Sequence, residues 1–400
     1  MLSGAHRASR PVLFPALEDG AGDREFSHGW TRELPLAGAM ARDALDAIAR
    51  RLREEVEQRY ERELIEGLRR GDADISGPLP FAPLEPEAYR RAKILERVLL
   101  EEFAGASLEA LYETEQRQTD YGPAFSVVDR RPLPQLPVDP ERCRDRLCGA
   151  LRLLWGIGPA TEQRLKALGY GSLAELARHP RWAREAGHIL QAIEARDLRR
   201  LSLQVGRWYA ASHPLALSLI GLAKLERIAF LDIETLGMMT EPVILVGLAW
   251  PEGDELLIRQ LVVRAIPEEL PVLMETARAL GRAEAVVTFN GRAFDVNFLE
   301  ARFGYYGLPA QVDRPNFDLL YFARRRWREE LPNCRLETLE RYVLGIERPL
   351  DVPSALVPEF YVSYLRERNV GPLVAVIEHN RQDLLSMVYL LSRLWEEWLR

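Results

Sequence analysis

The 400-residue sequence contains only three cysteines, only three lysines and no apolar run long enough to cross a membrane. The cysteines are odd in number and lack paired CxxC spacing, which argues against a disulfide framework or a cysteine zinc site. The longest uncharged apolar stretch, about residues 210–223, is interrupted by His213 and is shorter than the roughly 18 residues that a membrane helix needs. No apolar core of a signal peptide follows Arg7 and Arg10. We therefore expect a cytoplasmic protein without a membrane partner.

The sequence also lacks a net positive charge. Its 53 basic and 60 acidic residues give a formal net charge of -7 at pH 7, which argues against a protein that coats nucleic acid through bulk electrostatics. Hydrophobic residues at 47% and charged residues at 28% are close to globular averages and exclude wholesale disorder or a fibrous repeat. A chain of this length is expected to form two or three domains.

Residues 1–140 are predicted to form a mainly helical region that ends in a proline-rich connector. Apolar residues recur at steps of three and four between about Ala39 and Arg70, and again over about residues 86–103, which predicts two amphipathic helices. Their apolar stripes are expected to bury against one another rather than to form a partner-binding coiled coil. Residues 119–140 carry five prolines and predict the connector, with a short strand over residues 125–128.

The balance of charge inverts between residues 141 and 207. This segment has thirteen basic and seven acidic residues, a net charge of +6 within a chain of -7. Such an asymmetry is the electrostatic footprint expected of a nucleic-acid-facing module in an otherwise acidic protein. We therefore predict that residues 141–207 form a module that contacts nucleic acid.

Two short helices joined by a glycine turn are predicted within this segment. The pattern predicts a helix over residues 147–155, a tight turn at Gly156-Ile157-Gly158-Pro159, and a second helix over residues 160–168. Glycines let the backbone approach a phosphate closely, and the N-terminus of the second helix directs amide groups and the helix dipole outward. The string resembles the helix-hairpin-helix family over about residues 147–177. The resemblance implies backbone contacts to nucleic acid at Gly156, Ile157 and Gly158, and such contacts read no bases.

A plainer explanation of this turn stays open. A Gly-x-Gly turn also joins packed helices in many bundles, and modules of this kind also serve as spacers between proteins. The local charge of +6 and the order of helix, turn, helix and serine-capped third helix favour nucleic-acid binding over simple packing.

Carboxylates recur in the C-terminal half at positions where a carboxylate is costly. Residues 228–235 form a buried-strand pattern in which Asp232 and Glu234 are two residues apart and so project from the same face. Further strands are predicted over residues 243–250 and 256–264, which favours an antiparallel run. A carboxylate on an apolar strand is unfavourable unless it is paired or bound to a metal.

Two later blocks supply further candidate residues. The apolar strand at residues 285–289 ends at Asn290, and Asp295 follows at a predicted helix start, which is where α/β proteins build sites. Far downstream, His379 and Asp383 are four positions apart in a helical pattern and so share one helix face. Each block alone has a structural explanation, such as a strand cap, a carboxylate at a helix N-terminus or a surface histidine. Together the blocks favour a metal site.

The three blocks, Asp-Ile-Glu, Asn-Gly-x-x-Phe-Asp and His-Asn-x-x-Asp, resemble in their order and context the DEDD exonuclease superfamily. The resemblance spans about residues 227–400 and is closest to the bacterial YprB-like group. It implies that residues 225–400 form a ribonuclease-H-like mixed sheet flanked by helices. The expected fold class is therefore α/β, with this domain preceded by the helix-hairpin-helix module and the helical N-terminal region.

The resemblance also implies roles for the candidate residues. Asp232 would bridge two divalent ions, Glu234 and Asp383 would complete one metal site, and Asp295 would hold the second ion, partly through water. Carboxylate and water ligands select Mg²⁺ or Mn²⁺ over zinc. His379 would orient or deprotonate the attacking water.

His379 departs from the usual patterns of the superfamily. One branch has a histidine five positions before the last aspartate, and another has a tyrosine four positions before it, whereas His379 is a histidine at the tyrosine spacing. The resemblance therefore supports a general-base role for His379 less strongly than it supports the metal-binding roles of the four acids. Asn290 is a turn former and, secondarily, a candidate substrate contact.

The function implied by the resemblance is metal-dependent 3′-to-5′ exonucleolytic hydrolysis of phosphodiester bonds in DNA or RNA by a two-metal-ion mechanism. The partner would be a nucleic acid, bound through its backbone as a single-stranded end. Three alternatives stay open: a structure-specific endonuclease, a non-catalytic nucleic-acid-binding scaffold that retains the fold, and a protein-interaction adaptor that works through its N-terminal helices.

Overall fold

The fold is described by a computed structural model that covers residues 36–70, 86–238, 241–309, 314–348 and 352–399. Residues 1–35 of the predicted N-terminal region lie outside the described residues. Within these ranges the helices are α1 (Leu36–Arg70), α2 (Pro86–Glu102), α3 (Leu108–Leu111), α4 (Pro140–Cys148), α5 (Pro159–Ala167), α6 (Leu173–Leu176), α7 (Ala183–Glu194), α8 (Leu198–Trp208), α9 (Pro214–Ile220), α10 (Glu269–Leu280), α11 (Asp295–Tyr305), α12 (Leu319–Trp327), α13 (Leu336–Leu339), α14 (Val357–Glu367) and α15 (Gly371–Leu399). The strands are β1 (Glu113–Thr119), β2 (Gly122–Pro132), β3 (Ile228–Thr235), β4 (Val243–Glu252), β5 (Glu255–Val262), β6 (Ala285–Thr288) and β7 (Asn316–Asp318).

One seven-stranded sheet organises the described chain. Its strand order is β1-β2-β5-β4-β3-β6-β7. The strands from β1 to β3 in this order pair antiparallel, and β6 and β7 continue the sheet in parallel with β3. The predicted α/β class with a mixed sheet is confirmed, and so is the predicted antiparallel run of β3, β4 and β5.

Helices cover both faces of this sheet. α15 packs on β3, β4 and β5, whereas α10 and α11 pack on the opposite face. Strand β3 lies between β4 and β6, so it is enclosed on both edges and both faces. Strands in such positions are near-continuous apolar runs, and β3 is apolar from Ile228 to Ile233 except at Asp232.

The prediction of a proline-rich connector over residues 119–140 is wrong for its first part, which belongs to strands β1 and β2. Residues 122–132 form the eleven-residue strand β2, which pairs with β5 from Ser126 opposite Leu261 to Pro132 opposite Glu255. Its prolines lie near the strand ends, where a missing N–H disturbs the ladder least. Because β2 and β5 are far apart in the sequence, no local pattern reveals their pairing. The β1–β2 hairpin therefore extends the C-terminal sheet.

The helices α1 and α2 pack against one another, as their apolar stripes predict. Leu52 of α1 and Leu99 of α2 are fully buried, and both belong to a core that includes residues of α14 and α15. The N-terminal helices are thus packed on the same unit as the sheet. The division of the chain into residues 1–140, 141–207 and 225–400 stays a prediction.

The basic segment folds into small helices around the predicted glycine turn, but its first helix lies earlier than predicted. α4 ends at Cys148 with Gly149 as its C-cap, and a 3-10 turn over Leu151–Leu153 replaces most of the helix predicted for residues 147–155. α5 follows the turn as predicted, and the Ser172 hydroxyl caps α6.

The longest apolar stretch forms a buried connection between this module and the sheet. Every residue of α9 after Pro214 is buried, and α9 packs against α4, α8 and α15. Among the described residues, no helix combines the length and the apolarity that crossing a membrane requires.

Candidate active site

Strand β3 carries the first two predicted carboxylates. Asp232 and Glu234 both line a cavity of about 750 Å³ beside the start of α14. Asp232 accepts a hydrogen bond of 2.7 Å from Asn380 Nδ2 of α15, and Glu234 is buried. The alternation of side chains along a strand places both on the face that α15 covers.

The other predicted residues reach the same cavity from two helices. Asp295 is the first residue of α11, and its Oδ1 accepts a hydrogen bond of 3.0 Å from the Ile233 N–H of β3. His379 and Asp383 lie one turn apart on α15, with 3.9 Å between His379 Nε2 and Asp383 Oδ2. Asn290, at the end of β6, also lines the cavity. The structure therefore brings together every residue that the sequence predicts for the catalytic and metal site.

The carboxylates in this cavity disfavour one another's ionisation. Burial, followed by repulsion from Asp383 and Asp295, raises the pKa of Asp232 and the pKa of Glu234 well above their ordinary values. Burial raises the pKa of Asp295 to about 7, against the lowering effect of its hydrogen bond from Ile233. Burial also raises the pKa of Asp383, although Arg348 opposes that shift. Positive charge placed among these groups would be strongly favoured.

The donor chemistry of the cluster fits hard divalent cations. Six carboxylates and no thiol line the cavity, four of them the acids predicted from the sequence, and such oxygen ligands suit Mg²⁺ and Mn²⁺. As their side chains stand, no three histidine, cysteine, aspartate or glutamate residues of the described chain enclose a point where a metal ion would sit. The fit is therefore one of chemistry and charge, and holding an ion requires the carboxylates to turn toward a common point.

Asn380 and Gln260, which are not among the residues predicted for the site, support the carboxylate of Asp232. Gln260 Nε2 of β5 donates to Asn380 Oδ1 at 2.9 Å, which turns Asn380 Nδ2 toward Asp232. The contact passes directly over Gly247 of β4, which pairs with Asp232 in the sheet. A side chain at Gly247 would occupy the place of Asn380, because a Cβ there would lie 2.0 Å from Asn380 Oδ1. A glycine inside a strand is the sequence signal for such a close approach.

Arg348 is a second unassigned residue at the site. Its guanidinium donates to both carboxylate oxygens of Glu340, at 2.6 and 2.8 Å. It also donates to Asp383 Oδ1 at 2.5 Å and lies 3.2 Å from His379 Nδ1. Arg348 comes from the loop that follows a π-helical turn at Glu340–Leu344, and no local sequence pattern points to this position.

Asp318 is an acid near the cavity with a structural task. Its carboxylate caps α12 by accepting the Leu320 N–H, and it also accepts the N–H groups of Asn290 and Arg292. The bonds from Asn290 and Arg292 hold the turn in which Asn290 has a left-handed backbone conformation, with φ of 63°. Asp318 therefore shapes the turn between β6 and α11.

The residues of the glycine turn in the basic module are not among those that line this cavity. Gly156 has φ of +78°, which strains any other residue. Gly158 precedes α5 without a side-chain cap, and a Cβ built on it meets nothing within 4 Å. Ile157 is buried in the core, so only its backbone can face a ligand. Contacts of these three residues to nucleic acid stay a prediction.

The raised pKa of Asp295 predicts a pH-dependent stability of chelator-treated protein. The folded state keeps a proton up to about pH 7, whereas an unfolded chain loses it near pH 4. The free energy of unfolding should therefore fall as pH rises from about 4 to about 7, by about 1 kcal/mol per pH unit for this one proton. Urea unfolding across that range measures the slope.

Asp295→Asn is the informative variant for this prediction, because it removes the titrating group and keeps the shape of the side chain. Its unfolding free energy should vary less with pH than that of the wild type. Asp254→Asn, the same change in the exposed turn between β4 and β5, is the control and should keep the wild-type slope. Equal slopes for all three proteins would contradict the prediction.

Comparison with known proteins identifies the class of this domain. Residues 229–395 match a family model of the RNase_H superfamily. The chain is 30% identical over 166 residues to the uncharacterized protein YprB of Bacillus subtilis (strain 168), a match that covers 40% of each chain. The chain thus matches less than half the length of this relative. The matched residues form a ribonuclease-H-like domain that is similar to part of YprB.

A solved structure is also similar to part of the chain. It is a family B DNA polymerase from the hyperthermophilic archaeon Pyrobaculum calidifontis, with 17% sequence identity and a TM-score of 0.34. The match covers 42% of this chain and 24% of the polymerase.

Proposed function

We propose, on the premise that residues 229–395 form a ribonuclease-H-like domain, that this chain is a metal-dependent exonuclease that removes nucleotides from the 3′ end of DNA or RNA. The observation that carries the proposal is the carboxylate cluster of Asp232, Glu234, Asp295 and Asp383, which lines one cavity together with His379. The polarity follows from the resemblance of the three sequence blocks to the DEDD superfamily. The cytoplasmic location stays a prediction.

The residues of this cavity have tasks that follow from their contacts. Asn380 and the Ile233 N–H hold the carboxylates of Asp232 and Asp295 in place beside β3. The four acids would hold two Mg²⁺ or Mn²⁺ ions. Bound ions of this kind generate a nucleophilic water and stabilise the charge on the leaving oxygen. Without such cations, the negative charge of the ionised acids would also repel the phosphate of a substrate.

The size and the lining of the cavity suit the end of a single nucleic-acid strand. Its volume of about 750 Å³ falls in the range of ligand-binding pockets. Phe289, Phe294 and Leu236 line it beside the acids, and apolar and aromatic surfaces of this kind bind bases without sequence preference. These residues support a substrate with an unpaired terminal base.

The direct test is degradation of single-stranded DNA and RNA carrying a label at either end, with Mn²⁺, Mg²⁺ or chelator. The proposal expects metal-dependent release of the 3′ label as a mononucleotide and stepwise shortening of the 5′-labelled strand. Internal cuts would favour the structure-specific endonuclease. Binding without cleavage would favour the non-catalytic scaffold, and neither binding nor cleavage would favour the adaptor.

We further propose that the module around Gly156, Ile157 and Gly158 tethers the nucleic-acid backbone. Gly158→Ala tests this, because a methyl group fits the folded chain without a clash and yet stands where a phosphate would approach the N-terminus of α5. We expect an affinity for single-stranded DNA about tenfold weaker at fixed salt, the equivalent of one charge-assisted hydrogen bond. Fluorescence anisotropy measures the affinity.

Gly187→Ala provides the matched control, since Gly187 lies in α7 of the same module and also has open space for a Cβ. It should bind as tightly as the wild type. Equal binding by both variants and the wild type would remove the glycine turn from the nucleic-acid interface.

A further inference from the structure

Arg348 is held in place by an acid outside the carboxylate cluster. Glu340, which is 1% exposed, accepts two hydrogen bonds from the Arg348 guanidinium and a third from Ser386 of α15. The pairing with two parallel bonds fixes the plane of the guanidinium. The remaining N–H groups of Arg348 are thereby aimed at His379 and Asp383.

This arrangement determines which nitrogen of His379 carries a proton. A guanidinium has only N–H donors and no acceptor. His379 Nδ1 lies 3.2 Å from Arg348 Nη1, so Nδ1 must be the unprotonated, accepting nitrogen. In a neutral imidazole the proton is then on Nε2. That nitrogen lies 3.3 Å from Ser354 Oγ and 3.9 Å from Asp383 Oδ2.

Arg348 also distinguishes the two oxygens of Asp383. Oδ1 accepts the short hydrogen bond from Arg348 Nη2, whereas Oδ2 is the oxygen nearer to His379 Nε2. The carboxylate therefore keeps Oδ2 for a further partner in the cavity.

We propose that Arg348 is a positioning residue that fixes His379 as a hydrogen-bond donor through Nε2 and commits Asp383 to binding through Oδ2. His379 in this tautomer cannot accept a proton at Nε2, so it would orient the attacking water or a phosphate oxygen by donating to it. This replaces the general-base role that the family resemblance implies. The catalytic meaning of the inference rests on the proposed nuclease function, but the tautomer does not.

The tautomer can be measured on the whole protein without any substrate. The chain has six histidines, so selective ¹⁵N labelling of histidine gives few signals, and His379→Gln assigns the one of interest by its loss. Two-bond ¹H–¹⁵N correlation of chelator-treated protein near neutral pH should give an unprotonated Nδ1 and a protonated Nε2 for His379. A proton on Nδ1 in the wild type would overturn the inference, whatever the enzymatic activity.

Arg348→Met and Arg341→Met form a matched pair of variants. Arg348→Met removes the guanidinium donor that faces His379 Nδ1 and should shift the ¹⁵N signals of His379 toward a mixture of tautomers. Arg341 is exposed and seven positions earlier in the chain, so its variant should leave the spectrum unchanged. An unchanged tautomer in folded Arg348→Met protein would refute the role of Arg348. If that variant does not fold, Arg348→Lys, which retains a charge and a donor, takes its place and should keep Nδ1 unprotonated.

A comparison of two His379 variants tests the catalytic part of the proposal, namely that His379 acts as a hydrogen-bond donor. Glutamine can donate through its amide but cannot take up a proton, whereas leucine can do neither. If His379 acts as a donor, His379→Gln should be at least about tenfold faster than His379→Leu, the equivalent of one hydrogen bond. Equal, complete loss in both variants would restore the general base. An inactive wild type with the expected tautomer would refute the nuclease proposal and leave the positioning role intact.

Discussion

Asp232→Asn protein is expected to lose nuclease activity by about 10³-fold while it keeps its fold. Asp232 lines the cavity from the centre of the sheet and is the acid proposed to contact both metal ions. Metal ions contribute several kcal/mol to the stabilisation of a transition state, and about 4 kcal/mol corresponds to about 10³ in rate. The measurement is the initial rate on labelled single-stranded DNA with saturating Mn²⁺.

A measurement of thermal stability distinguishes this loss of activity from a loss caused by unfolding. Burial and the neighbouring acids raise the pKa of Asp232, so a neutral amide of the same shape relieves repulsion. The thermal midpoint of chelator-treated Asp232→Asn protein should therefore equal or exceed that of the wild type, while its binding of Mn²⁺ in titration calorimetry weakens. Asp254→Asn is the control for the chemical change. A variant at position 232 that keeps its rate within a few fold would refute the proposed site.

The second large effect is expected for Gly247→Ala, a substitution that adds one methyl group. The new Cβ would lie 2.0 Å from Asn380 Oδ1 and 2.8 Å from its Cγ and Nδ2. Asn380 would have to move, which breaks its hydrogen bonds to Asp232 and Gln260. Overpacking of a core costs about 1–3 kcal/mol, and the two buried hydrogen bonds add about 1 kcal/mol each. We expect a loss of about 3 kcal/mol in unfolding free energy, measured with urea.

Gly304→Ala is the matched control for this prediction. Gly304 lies in α11 of the same domain, and a Cβ there meets nothing within 4 Å. Alanine favours a helix over glycine by up to about 1 kcal/mol, so this variant should be as stable as the wild type or slightly more so. Unfolding of Gly247→Ala at the same urea concentration as the wild type would mean that Asn380 has room to move, and its contact would then not fix Asp232.

Each acidic residue that the sequence predicts for the site lies in a local pattern. Asp232 and Glu234 interrupt an apolar strand at a spacing of two, and His379 and Asp383 share a helix face at a spacing of four. Asp295 follows the end of a strand. These periodicities can be recognised without any knowledge of tertiary contacts. The structure brings all five residues to one cavity.

The supporting residues could not be predicted in the same way. Arg348 acts on residues 31 and 35 positions away, and nothing in its own segment indicates the direction of its side chain. Asn380 stands inside one of the quoted sequence blocks, but its task depends on which face of α15 meets β3. The pairing of β2 with β5 likewise joins segments that only the folded chain brings together.

The hairpin of β1 and β2 has a practical consequence for anyone who wishes to excise the catalytic unit. A chain that starts at residue 225 would leave the outer edge of β5 unpaired along the length that β2 occupies, from Glu255 to Leu261. An unprotected strand edge is a template for aggregation. The same cut would uncover the apolar residues of α14 and α15 that α1 and α2 shield. A soluble fragment would therefore need to keep the hairpin and the helices α1 and α2 together with the sheet.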